Sequence, residues 1–165
     1  MMKAIVSLLD KLLSKFLIGL MGAIVLVVTW QVATRFLMSS PSSYTEELAR
    51  FLLIWIGVLG GSYALRTRAH LGIDILSTKL QGRQKDMLMI GIYLAIILFS
   101  VLILVIGGIK LVALTFTLNQ ISASLGLKMG YIYLVLPLSG SIMVIYSIDV
   151  ILDALKGRTS FEEVN

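Results

Sequence analysis

Four segments of this chain are long and apolar enough to cross a lipid bilayer, and they restrict the possible folds more than any other feature. The hydrocarbon core needs roughly 20 consecutive apolar residues in a helix. The segments run over about 16–38, 47–65, 87–118 and 129–152. Lipid offers no hydrogen-bond partners, so each spanning segment must satisfy its own backbone hydrogen bonds, as an α-helix does. The sequence therefore predicts a single all-α membrane domain over residues 1–165, with four transmembrane helices.

The composition agrees with a membrane protein. Hydrophobic residues make up 58% of the 165 residues and charged residues only 14%, whereas about a quarter of a soluble domain is charged. The first apolar segment follows three lysines, as a signal peptide would. It is longer than the usual apolar stretch of roughly 7–15 residues in a signal peptide, and no A-x-A-like cleavage site follows it. We interpret it as an uncleaved first span.

The distribution of basic residues predicts the orientation, because cytoplasmic loops of membrane proteins carry an excess of lysine and arginine. Ten of the fourteen basic residues lie in the N-terminal tail, in the connection between spans 2 and 3, or in the C-terminal tail. Both termini are therefore predicted to be cytoplasmic, in agreement with an even number of spans. The ten residues are Lys3, Lys11, Lys15, Arg66, Arg68, Lys79, Arg83, Lys85, Lys156 and Arg158.

The connection between spans 2 and 3 contains a weakly amphipathic stretch at about 71–81. Ile73, Leu76 and Leu80 share one helical face, while Leu71 and Ile75 fall outside it. The pattern predicts a short interfacial helix lying in the cytoplasmic membrane surface. A plain loop is the alternative.

The residue types exclude several classes of function. The chain has no cysteine and one histidine, so we expect no metal site, and nothing indicates a cofactor or a catalytic group. Its basic residues are not interleaved with aromatic ones, which argues against nucleic-acid binding. Spans 1, 3 and 4 carry no acid at mid-depth, since Asp149 and Asp153 lie towards the end of span 4. A proton-driven exporter needs such a carboxylate.

Polar residues concentrate at both ends of span 2. Arg35, Glu46, Glu47 and Arg50 share the outer end, where Glu46 and Arg50 have the favourable i, i+4 spacing. Ser43 and Glu46 also fit a capping box, so a helix cap with a local ion pair explains these residues without any partner. Arg35 is close enough in depth to reach Glu46 or Glu47.

Span 2 itself carries small residues at four-residue spacing, Gly57 with Gly61 and Gly60 with Ala64. Such pairs let helices approach closely, although they are common in membrane helices. Arg66, His70 and Asp74 follow at the cytoplasmic end, where bases also meet anionic lipid headgroups.

The order of these residues resembles a known family, the small membrane (Q) subunit of tripartite ATP-independent periplasmic (TRAP) transporters. The resemblance covers about a quarter of the chain. One departure is Tyr44, since the family often has tryptophan before the Thr/Ser-Glu-Glu triplet. The matching residues are Arg35-Phe36, the run Tyr44-Thr45-Glu46-Glu47-Leu48-Ala49-Arg50-Phe51, and then Trp55, Gly60, Arg66, His70 and Asp74.

The resemblance implies a function. TRAP systems import organic acids across the bacterial inner membrane, using a periplasmic substrate-binding protein and a sodium gradient. Their large membrane subunit (M) holds the substrate and sodium sites and moves as an elevator. The small subunit is expected to act as a fixed scaffold beside it. No enzymatic activity is expected. Sialic acid and C4-dicarboxylates are both family substrates, and overall likeness slightly favours sialic acid.

Given a large subunit, the polar residues and the small-residue face of span 2 predict that this span and its flanks form the contact with it. Two other classes of function remain open from the sequence: a self-sufficient small transporter acting as an oligomer, and an assembly or sensor subunit of an unrelated membrane complex. The predicted contact or anchoring residues are Arg35, Glu46, Glu47, Arg50, Trp55, Gly57, Gly60, Gly61, Arg66, His70 and Asp74.

Overall fold

A computed structural model describes residues 2–37, 43–67 and 83–155, and it confirms four helical spans. Spans 1 and 2 are single helices. Span 3 is one continuous helical rod with a π-helical segment in its middle, and span 4 consists of two helices. The elements are α1 (Met2–Leu37), α2 (Ser43–Arg66), α3 (Arg83–Phe99), the π-segment (Ser100–Gly107), α4 (Gly108–Thr117), α5 (Met129–Tyr133) and α6 (Val135–Leu155). The predicted interfacial helix at 71–81 lies outside the described residues.

Helix α1 begins much earlier than the predicted membrane crossing at residue 16. It has 36 residues, which corresponds to about 54 Å of helix, whereas the hydrocarbon core is about 30 Å thick. The additional N-terminal turns are helical because they pack on the protein: Val6 and Leu13 are buried in one cluster with Leu59 of α2 and Tyr146 of α6.

The spans form an open array in the order 1, 2, 4, 3. Helix α1 packs along α2 and touches α6, α2 packs on α6, and α6 packs along span 3. Within the described ranges no backbone contact joins span 3 to α1 or α2. A second buried cluster, formed by Leu65, Met89 and Tyr93, fills the space where the ends of α2, α3 and α6 meet. Span 4 is therefore the centre of the fold, and spans 1 and 3 are its edges.

The π-segment keeps one face of span 3 directed at span 4. Tyr93, Ser100, Gly108 and Thr115 are all buried, at spacings of seven, eight and seven residues. Seven residues bring an α-helix back to nearly the same face, but eight overshoot it by about 80°. A widened turn between Ser100 and Gly108 absorbs the extra residue, so both halves of the rod direct the same face at span 4.

Span 4 is interrupted where Pro137 removes a hydrogen bond. Proline has no backbone N–H, so the carbonyl of Tyr133, four residues earlier, lacks its helical donor. Helix α5 ends at Tyr133 and α6 begins at Val135. The interruption lies against Gly108 of span 3, where an added Cβ would meet the Pro137 ring at 2.9 Å. Pro137 thus lies beside the break between two helices, at a close contact between spans.

The described loop from span 3 to span 4 is a tight hairpin. Ile121 and Lys128 form an isolated antiparallel bridge, with the Ser122 amide donating to the Leu127 carbonyl at 2.8 Å. Gly126 has a φ of +66°, a conformation that glycine adopts without steric cost.

Single-residue deletions test the role of the π-segment. Deleting Leu102, a half-exposed residue inside it, is expected to convert the widened turn to a regular α-helix and to leave Gly108 and Thr115 facing span 4. Deleting Leu94, an equally exposed residue of α3, rotates the preceding residues by about 100° relative to those that follow. Thermal unfolding in detergent should show a near-native midpoint for the first variant and a clearly lower one for the second. Equal midpoints would contradict the assignment.

Candidate partner interface

The outer end of α2 carries an ion pair that does not depend on any partner. Arg50 Nη2 lies 3.1 Å from Glu46 Oε1, and both side chains are exposed. An exposed i, i+4 pair contributes little to stability. Ser43 is the first residue of α2, and the carboxylate of Glu46 is engaged with Arg50. The ion-pair interpretation of Glu46 and Arg50 therefore holds within the chain.

Glu47 binds the hairpin between spans 3 and 4. Its Oε2 accepts hydrogen bonds from the amides of Ser124 and Leu125, at 2.8 and 2.9 Å, and from the hydroxyl of Ser122 at 3.2 Å. Hydrogen bonds to a charged acceptor are stronger than those between neutral groups. One carboxylate of α2 thus holds a loop that is 75 or more residues away in sequence. The sequence alone gave no sign of this contact, because the loop has no basic residue to pair with Glu47 except Lys128.

Arg35 is placed differently from the expectation that it reaches Glu46 or Glu47. It is exposed at the end of α1, and among the described residues no ion pair joins it to either glutamate. Arg50 and the hairpin supply the donors that the described structure gives to the two carboxylates.

Trp55 joins α2 to the interruption of span 4. Its indole Nε1 donates to the carbonyl of Ile132 at 3.1 Å, one residue before the end of α5. Phe16 of α1 packs edge-on against the indole, with ring centroids 6.1 Å apart. The tryptophan predicted from the motif therefore supplies a donor near the position where Pro137 breaks the helical pattern.

A buried serine pair links α2 to α6. The hydroxyls of Ser62 and Ser139 are 2.6 Å apart and buried. Ser139 also donates to the carbonyl of Val58 at 2.9 Å. Interhelical hydrogen bonds of this kind hold membrane helices together. These hydroxyls are bonded to one another, so they are not free to bind a solute.

The glycines of α2 face open space. A Cβ added at Gly57, Gly60 or Gly61 would meet nothing within 4 Å. The tight contacts within the chain are instead at Gly130, whose added Cβ would lie 2.5 Å from the Phe116 ring, and at Gly140, 2.7 Å from Leu104. The small-residue face of α2 is thus not used for packing inside the described part of this chain.

Arg66 connects three spans at the opposite end of the array. Its Nε lies 3.0 Å from Asp10 Oδ2 of α1, and its Nη1 lies 3.6 Å from Asp149 Oδ2 of α6. The Tyr146 ring lies below the guanidinium, 5.8 Å from its carbon. The Asp149 side chain is only 8% exposed, so its charge requires a partner. We call Asp10, Arg66, Tyr146 and Asp149 the inner cluster.

The structure shows more here than the sequence indicated. Arg66 was expected to mark where α2 leaves the membrane, whereas it bridges two aspartates from different spans. Nearby, Lys3 of α1 lies 3.8 Å from Asp153 of α6. The start of α1 and the end of α6 therefore lie at the same end of the array. Asp10 and Asp149 could have indicated this cluster from the sequence, because acids are rare in apolar helices and usually pair with an opposite charge. His70 and Asp74 lie outside the described residues.

The described residues contain no group of three His, Cys, Asp or Glu side chains arranged to hold a metal ion. Their polar groups are engaged mainly in contacts between spans, at the two ends and at the serine pair. The arrangement is suited to holding helices together.

Replacing Glu47 tests its contact with the hairpin. In Glu47→Ala, the amides of Ser124 and Leu125 lose their acceptor, and we expect both to exchange hydrogen for deuterium several-fold faster. Glu46→Ala is the matched control, since that carboxylate pairs with Arg50 of its own helix, and it should leave the exchange unchanged. Exchange rates measured by mass spectrometry in detergent provide the comparison. Unaltered exchange in Glu47→Ala would show that the hairpin is held by other contacts.

Comparison with known proteins identifies the family. Residues 24–157 match the family described as "Tripartite ATP-independent periplasmic transporters, DctQ component". The sialic acid TRAP transporter small permease protein SiaQ of Vibrio cholerae is 27% identical over 161 residues, covering 94% of this chain and 87% of that protein. The C4-dicarboxylate TRAP transporter small permease protein DctQ of Rhodobacter capsulatus is 30% identical over 101 residues, covering 61% and 44%.

A third relative is much longer than this chain. The isethionate TRAP transporter permease protein DctMQ of Oleidesulfovibrio alaskensis is 29% identical over 136 residues, which cover 79% of this chain but only 21% of that protein. The family is a transporter permease component and not an enzyme. With its four apolar helices and a family match over most of its length, this multi-pass membrane protein belongs to the DctQ component family of TRAP transporters.

Proposed function

We propose that this chain is the small permease subunit of a sodium-coupled TRAP transporter for organic acids, and that it acts as a membrane scaffold for the large elevator subunit. The observation that carries this proposal is the use of its polar groups. In the described spans, charged contacts connect helices at the two ends, and the buried hydroxyls of Ser62 and Ser139 bond to each other. These contacts hold the helices in one arrangement, and a separate subunit supplies the substrate path.

The proposed partners are a large membrane subunit and a periplasmic substrate-binding protein. The relative DctMQ supports the first, because a permease of much greater length contains a region similar to this chain. The proposed substrate is an organic acid, sialic acid or a C4-dicarboxylate. The near full-length similarity to a sialic acid small permease protein favours the former.

The proposed orientation has both termini in the cytoplasm. It is supported by the ten basic residues assigned to that side and by the position of Lys3 beside Asp153. A reporter fused at Asn165 should be inactive if it requires the periplasm, and one inserted at Ser42 should be active. The reverse pattern would overturn the orientation.

The proposed contact with the large subunit lies on α2. Gly57, Gly60 and Gly61 present a surface on which another helix can approach closely, and nothing in the described chain occupies it. Arg35 and the Glu46–Arg50 pair flank its outer end and are exposed. We expect the large subunit to cover this face. Trp55 and Arg66 hold α2 against the other helices of the chain. His70 and Asp74 follow α2 in the sequence.

Glycine substitutions separate assembly from folding. The double variant Gly57→Leu with Gly61→Leu has room for both side chains in the isolated chain, so we expect a native thermal midpoint but at least severalfold lower recovery of the co-expressed large subunit on a tagged copy. Gly22→Leu in α1 is the matched control, because its added side chain also meets open space. If the double variant recovers as much large subunit as the control, the contact is on another face.

A further inference from the structure

One charge in the apolar surface of span 3 has no partner in the described chain. Lys110 is the only charged residue between Asp86 and Lys128. It is exposed on α4, in the span with the highest mean hydropathy of the four, 3.0 over its most apolar window. Among the described residues, no ion pair or hydrogen bond involves its ammonium group. A lysine in such a position is costly unless its charge is satisfied.

The direction of span 3 makes the nearer membrane surface hard for Lys110 to reach. Lys110 lies seven residues before Thr117, the end of α4, and hence about 10 Å from that end. Side chains on a helix tilt towards its N-terminus. The N-terminal half of span 3 lies at the end of the inner cluster, since Met89 and Tyr93 pack with Leu65. The Lys110 side chain therefore starts in the direction of the inner cluster, and it must bend back to reach lipid headgroups at the hairpin end.

A second copy of this chain does not offer a free acid at this depth. In the described spans, every acid whose side chain is placed is already engaged, at one of the two ends of the array. Among proteins, a partner of different sequence is therefore the better source of the opposite charge. The engaged acids are Asp10 and Asp149 with Arg66, Asp153 with Lys3, Glu46 with Arg50, and Glu47 with the hairpin.

We propose that Lys110 forms an ion pair with a carboxylate on a membrane-spanning helix of the large permease subunit. This inference rests on the proposed function, and it adds an edge contact on span 3 to the contact proposed on α2. Span 3 is an edge of the array, so a helix of the partner can lie against it without displacing any span. Away from water, the paired charges attract each other more strongly than at a surface.

Three variants test this pair by recovery of the co-expressed large subunit on a tagged copy of the chain. Lys110→Leu leaves an acid of the partner without its counter-charge, and it should lower recovery by about tenfold or more. Lys110→Arg keeps the charge and should recover the large subunit nearly as well as the wild type. Lys128→Leu removes an exposed lysine of the hairpin and should have no effect.

A zero-length cross-link identifies the partner group. Dicyclohexylcarbodiimide enters membranes and activates a carboxylic acid there. An adjacent lysine amine then forms an amide with it, and the corresponding urea is released. We expect mass spectrometry to find a peptide containing Lys110 joined to the large subunit in the wild type, and no such peptide in Lys110→Arg.

The outcomes separate the two proposals. If the wild-type chain recovers no large subunit, the proposed function fails. A different result is that the wild type and Lys110→Leu recover equal amounts of large subunit and that the wild type gives no cross-link. Lys110 then contacts only lipid phosphate. That result overturns the inference and leaves the proposed function standing.

Discussion

The fold depends on the need to satisfy charges that lie within apolar helices. Arg66 has an acid on each side, one from α1 and one from α6. The Asp149 carboxylate is nearly buried, so removing Arg66 would leave its charge without compensation. The inner cluster therefore fixes where spans 1, 2 and 4 meet. At the other end, the carboxylate of Glu47 fixes the hairpin of spans 3 and 4 to the start of α2, so that α2 is attached at both of its ends.

These attachments explain how an open array of four helices holds its shape without closing into a bundle. Span 4 is in contact with every other span, and it is bonded to α2 through Trp55 and through the serine pair. Spans 1 and 3 each pack on one side only and leave much of their apolar surface uncovered. An open array of this kind presents a wide surface to a larger membrane protein while keeping its own helices in place. This property is suited to a scaffold, in agreement with membership of the small-permease family.

The sequence predicted the features that depend on composition and local pattern. Four spans followed from the long apolar runs, and the Glu46–Arg50 pair followed from its spacing. Contacts between distant residues could not be predicted in this way. Nothing near Glu47 in sequence indicates that its carboxylate binds the amides of Ser124 and Leu125, because backbone amides are present at almost every residue. The glycines likewise show that spacing alone does not predict contacts. The glycines with four-residue spacing in α2 face open space. The tight contacts within the chain occur instead at Gly130 and Gly140.

Reconstitution into liposomes tests the central claim most directly. The chain should be purified alone and together with its large subunit, and each preparation should be supplied with the substrate-binding protein, sialic acid and an inward sodium gradient. The account predicts uptake only when the large subunit is present, because the buried hydroxyls of Ser62 and Ser139 are held in contacts between the spans. Sodium-dependent uptake by the chain alone would contradict the account, since it would show that these four helices contain a transport path of their own.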